Sequence, residues 1–197
     1  MTYFDDYFAG LYAGSDDPWG LATEPYEHRK HALTLAALPR MRYSRAFEPG
    51  CAIGVLTAQL AARCDQLVSW DGADSAVVQA RERVGQPHVR IEQALVPARW
   101  PAGSFDLVVV SELLYFLRAP DRDGLAAAVG GCLRPGGHLI AVHWRHWFAE
   151  ATCTGDEAHA EVAAKAVALG LRRLVEHVET DFLLDVWEAA SAGQDER

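Results

Sequence analysis

A short turn containing two glycines is the part of the sequence best suited to holding a ligand. It runs from Glu48 to Gly54, after a predicted strand and before a predicted helix. Gly50 carries no side chain, so a ligand can approach its backbone closely, and Gly54 allows the helix to begin near the sheet. Two glycines also occur in ordinary surface loops. The turn therefore indicates a binding site only if other segments place suitable groups beside it.

Three further segments supply such groups. Asp71 ends a predicted second strand, 23 residues after Glu48, which is near the spacing of a strand–helix–strand unit. Its carboxylate could accept hydrogen bonds from ribose hydroxyls. Residues 105–112 form a buried strand with a polar exit, and residues 133–139 contain the turn into the next strand. Ligands bind beyond the carboxyl ends of parallel strands, so these exits should together hold a dinucleotide or an adenosyl group.

The elements that must position these groups alternate along the chain. Predicted strands occupy residues 45–47, 67–70, 88–92, 105–110, 138–144, 174–179 and 182–188. Predicted helices occupy residues 26–38, 55–63, 75–84, 121–133 and 156–169. This order indicates an α/β fold with a doubly wound, mostly parallel, seven-stranded sheet and an antiparallel C-terminal strand. We expect one domain over residues 1–197, with an N-terminal helical cap (1–43), a core (44–189) and a flexible tail (190–197).

Composition narrows the range of partners. Half of the residues are hydrophobic and the formal net charge is −9, so the chain can bury a core but would be repelled by a phosphate backbone. No stretch approaches the roughly 20 apolar residues needed to cross a bilayer. We expect a cytoplasmic protein with no membrane or nucleic-acid partner. The four cysteines lack metal-type spacing, so we also expect no metal site.

These blocks resemble the class I S-adenosylmethionine-dependent methyltransferases, and more narrowly the nodulation protein S-like methyltransferases. The narrower resemblance extends over about residues 4–187, and its strongest strings are residues 17–19, 26–30, 47–54, 111–115 and 155–159. It implies a Rossmann-like fold, S-adenosyl-L-methionine as cofactor, and methyl transfer to nitrogen or oxygen of a small molecule. An amino sugar or another carbohydrate is among the acceptors that the resemblance implies.

The resemblance also implies a set of cofactor-binding residues. The family's E-x-G-x-G-x-G loop matches Glu48, Gly50, Ala52 and Gly54, and Ala52 departs from the central glycine. Asp71 matches the acid that binds the ribose. Arg29 could bind the cofactor carboxylate, and aromatic residues could cover the sulfonium or adenine. The full predicted set is Trp19, Tyr26, Arg29, Glu48, Gly50, Cys51, Ala52, Gly54, Asp71, Gly72, Ala73, Ala94, Leu95, Ser111 and Glu112.

The acceptor should lie beyond the fourth and fifth predicted strands. His143 is a candidate general base, because histidine titrates near neutral pH, although a lone histidine is more often structural. The predicted acceptor contacts are Tyr115, Trp144, Arg145 and His146. Tyr115 could equally be a core aromatic.

Other functional classes stay open at this level. A protein of the same fold could bind the cofactor without catalysis, and the alanine at position 52 favours this alternative slightly. A nicotinamide-dependent oxidoreductase would fit Asp71, but the turn does not follow the G-x-G-x-x-G pattern. A nucleic-acid methyltransferase is opposed by the net charge. The identity of the acceptor, the methylated atom and the oligomeric state are not encoded in any motif we identify.

Overall fold

A single seven-stranded sheet organises the molecule. The computed structural model describes residues 3–191, and the strands lie in the order β3-β2-β1-β4-β5-β7-β6. Their bounds are β1 (Ala46–Pro49), β2 (Leu67–Asp71), β3 (Val89–Gln93), β4 (Phe105–Ser111), β5 (Leu133–Trp144), β6 (Arg172–Val178) and β7 (Phe182–Glu188). The first five strands pair in parallel, whereas β7 is antiparallel to both β5 and β6. The predicted fold class is confirmed.

Helices flank this sheet. Their bounds are α1 (Tyr3–Gly14), α2 (Pro25–Ala37), α3 (Val55–Ala61), α4 (Asp74–Arg83), α5 (Ala119–Cys132) and α6 (Gly155–Ala168), and a 3-10 turn spans Leu114–Phe116. The first two helices form the expected N-terminal cap. The predicted tail falls mainly on residues 192–197, which lie outside the described residues.

Most element boundaries lie within two residues of the sequence-based expectation, and two of the differences have a clear physical reason. Helix α5 begins before Asp121 because Pro120 fits the first turn of a helix, where no backbone donor is needed. Strand β5 begins at Leu133 rather than at His138. Leu133 pairs with Phe105, and the register then shifts before Leu107 pairs with His138. The predicted turn at residues 134–137 is therefore an irregular stretch at the start of the strand.

The core lies on both faces of the central strands. Every residue from Phe105 to Val110 is buried, including Asp106. Alternate side chains enter two separate clusters: Val108 packs on one face, and Leu107 and Val109 pack on the other. Because helices cover both faces, a ligand must approach the sheet at the strand ends.

Two kinds of feature are absent from residues 3–191. No helix there is long and apolar enough to span a membrane. No group of three or more His, Cys, Asp or Glu side chains there could hold a metal ion. The four cysteines are buried and free.

Candidate functional site

The glycine turn and the end of β2 lie side by side. Strands β1 and β2 pair with Pro49 opposite Trp70, so both chains leave the sheet at the same level. The carbonyl oxygen of Trp70 accepts hydrogen bonds from the N–H groups of Gly50 and Cys51, at 2.7 and 3.0 Å. The Cys51 thiol points into a buried environment, and burial raises its pKa well above the usual value. The two segments predicted to meet therefore do meet.

Asp71 completes this arrangement with its carboxylate. Oδ2 accepts the N–H of Ala52 at 2.8 Å, and Oδ1 accepts the N–H of Ala73 at 2.9 Å. Burial raises the pKa of Asp71, although these backbone donors oppose the shift. The side chain is only half-buried, and each carboxylate oxygen keeps a second lone pair for another donor. A pair of ribose hydroxyls is a suitable partner for such a group.

Ala52 adopts the backbone conformation that the family's glycine would supply. Its φ angle is 47°, in the left-handed region that few non-glycine residues enter. The hydrogen bond from Ala52 to Asp71 holds it there. The missing glycine therefore leaves the shape of the turn intact.

Glu48 supports the turn from below. Its Oε2 accepts hydrogen bonds from the hydroxyls of Thr57 and Ser69, at 2.7 and 2.8 Å. Only 2% of the residue is exposed, and burial raises its pKa to about 7. These bonds tie β1 to the first turn of α3 and to β2. Gly54, the N-cap residue directly before α3, has a φ of 78°.

An apolar surface follows Asp71 on the side of β3. The N–H of Ala94 donates to the carbonyl of Asp71 at 2.9 Å, which places Leu95 next to Gly72. Half of Leu95 is exposed. An exposed leucine beside a backbone turn suits the flat face of an adenine ring. Four predicted residues therefore lie next to Asp71, namely Gly72, Ala73, Ala94 and Leu95.

The N-terminal cap covers the glycine turn from outside. Tyr12 of α1 packs against Ile53 and Val55, and its ring meets that of Trp19 edge-on at 5.7 Å. Burial, together with the nearby carboxylate of Asp71, raises the pKa of Tyr12. Trp19 is therefore close to the turn, as predicted. Sequence reasoning did not single out Tyr12 as a site residue, and its position among regularly spaced cap aromatics was the available signal.

Glu112 is the central group on the other half of the site. It follows Ser111 at the end of β4, and its φ of 52° is unusual for a residue with a side chain. Its Oε2 accepts hydrogen bonds from the hydroxyl of Tyr115 and from the N–H of Trp144, the latter at 3.1 Å. Its Oε1 lies 2.7 Å from Nζ of Lys30.

Helix α2 buries a row of polar side chains towards Glu112. The buried residues are Glu27, Lys30, His31 and Thr34, which share one helical face. Nζ of Lys30 donates to Glu27 at 2.9 Å. Burial alone would lower the pKa of Lys30, but the carboxylates of Glu112 and Glu27 reverse the shift and raise it. Burial lowers the pKa of His31 to about 4. Charged residues are seldom buried unless they are paired, and Lys30 pairs with Glu112. We therefore include this row in the candidate site.

Tyr26 lies with this second group rather than over the glycine turn. Its ring meets Phe182 of β7 edge-on at 6.2 Å, and Lys30 sits 5.0 Å from its centre. The hydroxyl is buried and has no hydrogen-bond partner among the described residues. The contacts of Tyr26 are therefore with Phe182 and Lys30, on the half of the site that contains Glu112.

Arg29 does not reach the cofactor side. Its guanidinium forms a double hydrogen bond with Glu179, at 2.5 and 2.8 Å, in the turn between β6 and β7. The predicted contact between Arg29 and a cofactor carboxylate is not supported, because both outer nitrogens face another partner. An exposed helix arginine cannot be distinguished from a ligand-binding one without knowing which turn lies opposite.

Two predicted acceptor contacts are likewise used to hold the chain together. Arg145 forms a double hydrogen bond with Asp156 of α6, at 3.0 and 2.8 Å. His146 lies 2.9 Å from Asp181. Both side chains thus fix neighbouring segments at the rim. The buried Tyr115 contacts Glu112 through its hydroxyl, whereas Trp144 contacts Glu112 through its backbone N–H.

The prediction of His143 as a general base is wrong. The residue is completely buried, its Nε2 accepts the N–H of Leu114 at 3.1 Å, and its Nδ1 lies 3.2 Å from His159. Burial lowers the pKa of His143 well below the usual value. With neither ring nitrogen facing the crevice, the imidazole cannot take a proton from an acceptor.

Comparison with known proteins places this site in a family. Residues 12–177 match the family model for Nodulation protein S (NodS). The chain belongs to the NodS family. Nodulation protein S of Rhizobium tropici is 37% identical over 131 residues, which cover 64% of this chain and 54% of that protein. The counterpart from Sinorhizobium fredii is 32% identical over 64% of this chain and 60% of its own length. This NodS-family chain thus spans a little over half the length of these relatives.

Solved structures share the fold. A proposed methyltransferase from Pseudomonas syringae is 48% identical, with a TM-score of 0.73 over 84% of this chain and 99% of that chain. The N-methyltransferase NodS from Bradyrhizobium japonicum WM9, solved with S-adenosyl-L-homocysteine, is 24% identical, with a TM-score of 0.75 over 95% and 99% of the two chains. The NodS-family chain has the fold of the S-adenosylmethionine-dependent methyltransferases.

Proposed function

We propose that this chain transfers the methyl group of S-adenosylmethionine to nitrogen or oxygen of a small molecule. The observation that carries the proposal is the meeting of the glycine turn with the carboxylate of Asp71. Family membership and the methyltransferase fold support it. A cytoplasmic location stays a prediction.

The cofactor would occupy the half of the site over β1, β2 and β3. Asp71 would accept hydrogen bonds from the ribose hydroxyls, and Leu95 would contact the adenine. Gly50 has no side chain, so the ligand could approach its backbone closely. Trp19 and Tyr12 would cover the ligand from the cap. The bound cofactor supplies an activated methyl group, so the protein mainly has to position the acceptor.

The acceptor would lie over β4 and β5, next to Glu112. Glu27 and Glu112 together carry one negative charge more than Lys30 neutralises, which favours an acceptor that is or becomes positively charged. A nitrogen gains positive charge as it is methylated, and a fixed carboxylate stabilises that charge. The name of the Bradyrhizobium N-methyltransferase supports nitrogen over oxygen, and an amino sugar is our first candidate. The net charge of −9 favours a small molecule over a nucleic acid.

Calorimetry and a transfer assay test the proposal in sequence. S-adenosyl-L-homocysteine should bind with one molecule per chain, and mass spectrometry should detect methylation within a panel of amines, amino sugars and phenols. Glucosamine would serve as the first amino sugar. Absence of binding at millimolar S-adenosyl-L-homocysteine would contradict the proposed function. Binding without transfer to any member of a broad panel would instead support a cofactor-binding protein without catalysis.

A further inference from the structure

Three buried side chains form a continuous row behind Glu112. Nδ1 of His143 in β5 lies 3.2 Å from Nε2 of His159 in α6. Nδ1 of His159 in turn lies 2.7 Å from Oδ2 of Asp185 in β7. The three residues are 0%, 6% and 5% exposed. We call them the His–His–Asp row.

The hydrogen bonds of the row allow one arrangement of protons. The N–H of Leu114 can only donate, so Nε2 of His143 must be an acceptor and its proton must lie on Nδ1. His143 then donates to Nε2 of His159, which leaves His159 with its own proton on Nδ1, directed at Asp185. Both imidazoles are therefore neutral and carry the Nδ1 proton. The carboxylate of Asp185 fixes this order from the far end of the row.

The near end of the row holds the segment that presents Glu112. Leu114 begins the 3-10 turn two residues after Glu112, and the N–H of Glu112 donates to the carbonyl of Val142 at 2.8 Å. Val142 directly precedes His143 in β5. The left-handed backbone of Glu112 is thus bonded on both sides to the same short stretch of one strand. Such a conformation persists only where the surroundings impose it.

We infer that His143, His159 and Asp185 are positioning residues that hold Glu112 in the orientation required for methyl transfer. The inference rests on the proposed function for its catalytic meaning, but its geometry is independent of the acceptor. Burying three polar side chains costs desolvation free energy, and apolar residues of similar size would fill the same space at a lower cost. The retention of polar residues here therefore indicates that their hydrogen bonds have a role. The purpose here is a rigid acceptor for the N–H of Leu114.

Nuclear magnetic resonance tests the row without any acceptor. In the unliganded full chain, both imidazoles should show the nitrogen signature of the Nδ1-protonated tautomer, and the Leu114 amide should exchange slowly. Asp185→Leu removes the carboxylate that fixes the order of protons. It should mix the tautomers and accelerate exchange at Leu114 roughly tenfold or more. Asp185→Asn keeps an oxygen acceptor and should restore the tautomer and most of the protection.

The transfer assay tests the consequence for activity, using the panel member that reacts fastest. Asp185→Leu should lower kcat roughly ten- to a hundredfold, because small displacements of a positioned group slow a reaction strongly. Binding of S-adenosyl-L-homocysteine should change less than about twofold, since Asp71 and the glycine turn lie on the other half of the site. His177→Asn, on the neighbouring strand but outside the row, serves as the matched control and should leave kcat unchanged.

The outcomes separate this inference from the proposed function. Unchanged Leu114 exchange and unchanged tautomers in Asp185→Leu would overturn the row. Equal losses of kcat, cofactor affinity and thermal stability in both Asp185 variants would also overturn it, because they would indicate general damage to the fold. If the wild-type chain methylates no compound in the panel, the result counts against the proposed function but does not bear on the His–His–Asp row. The magnetic resonance experiment still decides whether the row holds Leu114.

Discussion

Two carboxylates at the ends of adjacent strands have opposite surroundings, and this difference assigns them different tasks. Asp71 is half-buried and bonded only to backbone N–H groups, so it keeps capacity for a ligand. Glu48 is buried and its Oε2 is bonded to two hydroxyls. We therefore propose Asp71 as a ligand contact, whereas Glu48 supports the turn. Both are acidic residues in the predicted cofactor-binding set, and their environments in the structure tell them apart.

Asp71→Asn should weaken the binding of S-adenosyl-L-homocysteine by roughly ten- to a hundredfold. The amide keeps the size of the side chain but loses the charge and one of the two acceptor oxygens. Hydrogen bonds to a charged group contribute about 1.5–3 kcal/mol, which corresponds to this range. Calorimetry measures the dissociation constant. Asp65→Asn, at an exposed aspartate before β2, is the control, and an equal dissociation constant for Asp71→Asn and wild type would contradict the assignment.

Glu48→Gln should alter how stability depends on pH. Burial raises the pKa of Glu48 from 4.5 to about 7, so the folded chain holds this proton more tightly than the unfolded chain. Its contribution to stability is complete below pH 4.5 and is lost as the pH rises through 7. The loss amounts to about 3 kcal/mol at most. Urea unfolding of both proteins between pH 4.5 and 8 measures it.

The glutamine variant removes that titration while keeping polar atoms near Thr57 and Ser69. The free energy of unfolding of the variant minus that of the wild type should therefore increase as the pH rises. His31 and His143 shift in the opposite direction in both proteins, so they cancel from the difference. A difference that is flat with pH would show that Glu48 is already charged in the folded protein.

At the scale of elements, the sequence predicts those parts whose pattern follows from burial. The run of β-branched residues in β4 and the glycine turn were recognisable because each has a local cause. The polar row of α2 was not, since charges spaced three and four residues apart normally mark an exposed face. His143 was misread for a related reason. Its partner His159 comes from α6, and no local pattern reports which helix will pack against which strand.

Gly54→Ala should destabilise the fold by about 2–4 kcal/mol. Two effects add: an alanine at positive φ costs about 1–2 kcal/mol, and the new methyl group would lie 3.0 Å from backbone and side-chain atoms of Ala80. Gly170→Ala provides the control, because Gly170 has a φ of 72° but nothing within 4 Å of the added carbon. Thermal and urea unfolding should therefore show a smaller loss for Gly170→Ala. Equal losses would mean that the contact between α3 and α4 relaxes freely.

At the scale of the whole molecule, the cap joins the two halves of the site. Tyr12 of α1 packs over the glycine turn, whereas Lys30 of α2 is paired with Glu112 at the end of β4. One N-terminal segment thus contacts both the half of the site proposed for the cofactor and the half proposed for the acceptor. The sheet order places β1 and β4 side by side between these halves. A substitution at either contact of the cap should therefore change the free energy of unfolding of the entire domain.

Lys30→Met should lower the free energy of unfolding by about 3–5 kcal/mol, because it leaves the buried carboxylate of Glu27 and the partly buried carboxylate of Glu112 without their cation. The double variant Lys30→Met with Glu27→Gln removes one of those charges and should recover part of the loss. Urea unfolding at neutral pH measures the wild type, the two single variants Lys30→Met and Glu27→Gln, and the double variant. If the double variant is as unstable as the sum of the two single variants, the charges do not interact as the distances imply.

Binding of the cofactor product should stabilise the molecule by mass action. S-adenosyl-L-homocysteine at one hundred times its dissociation constant adds about 2.7 kcal/mol, which is roughly 5–10 °C in Tm for a chain of this size. Hydrogen exchange should slow at residues 48–54, 71–73 and 94–95, since these segments surround Asp71 at one edge of the sheet. Strands β6 and β7 should change little, because they lie on the far side of β5. Protection centred on β6 and β7 would place the ligand elsewhere and contradict the division of the site into two halves.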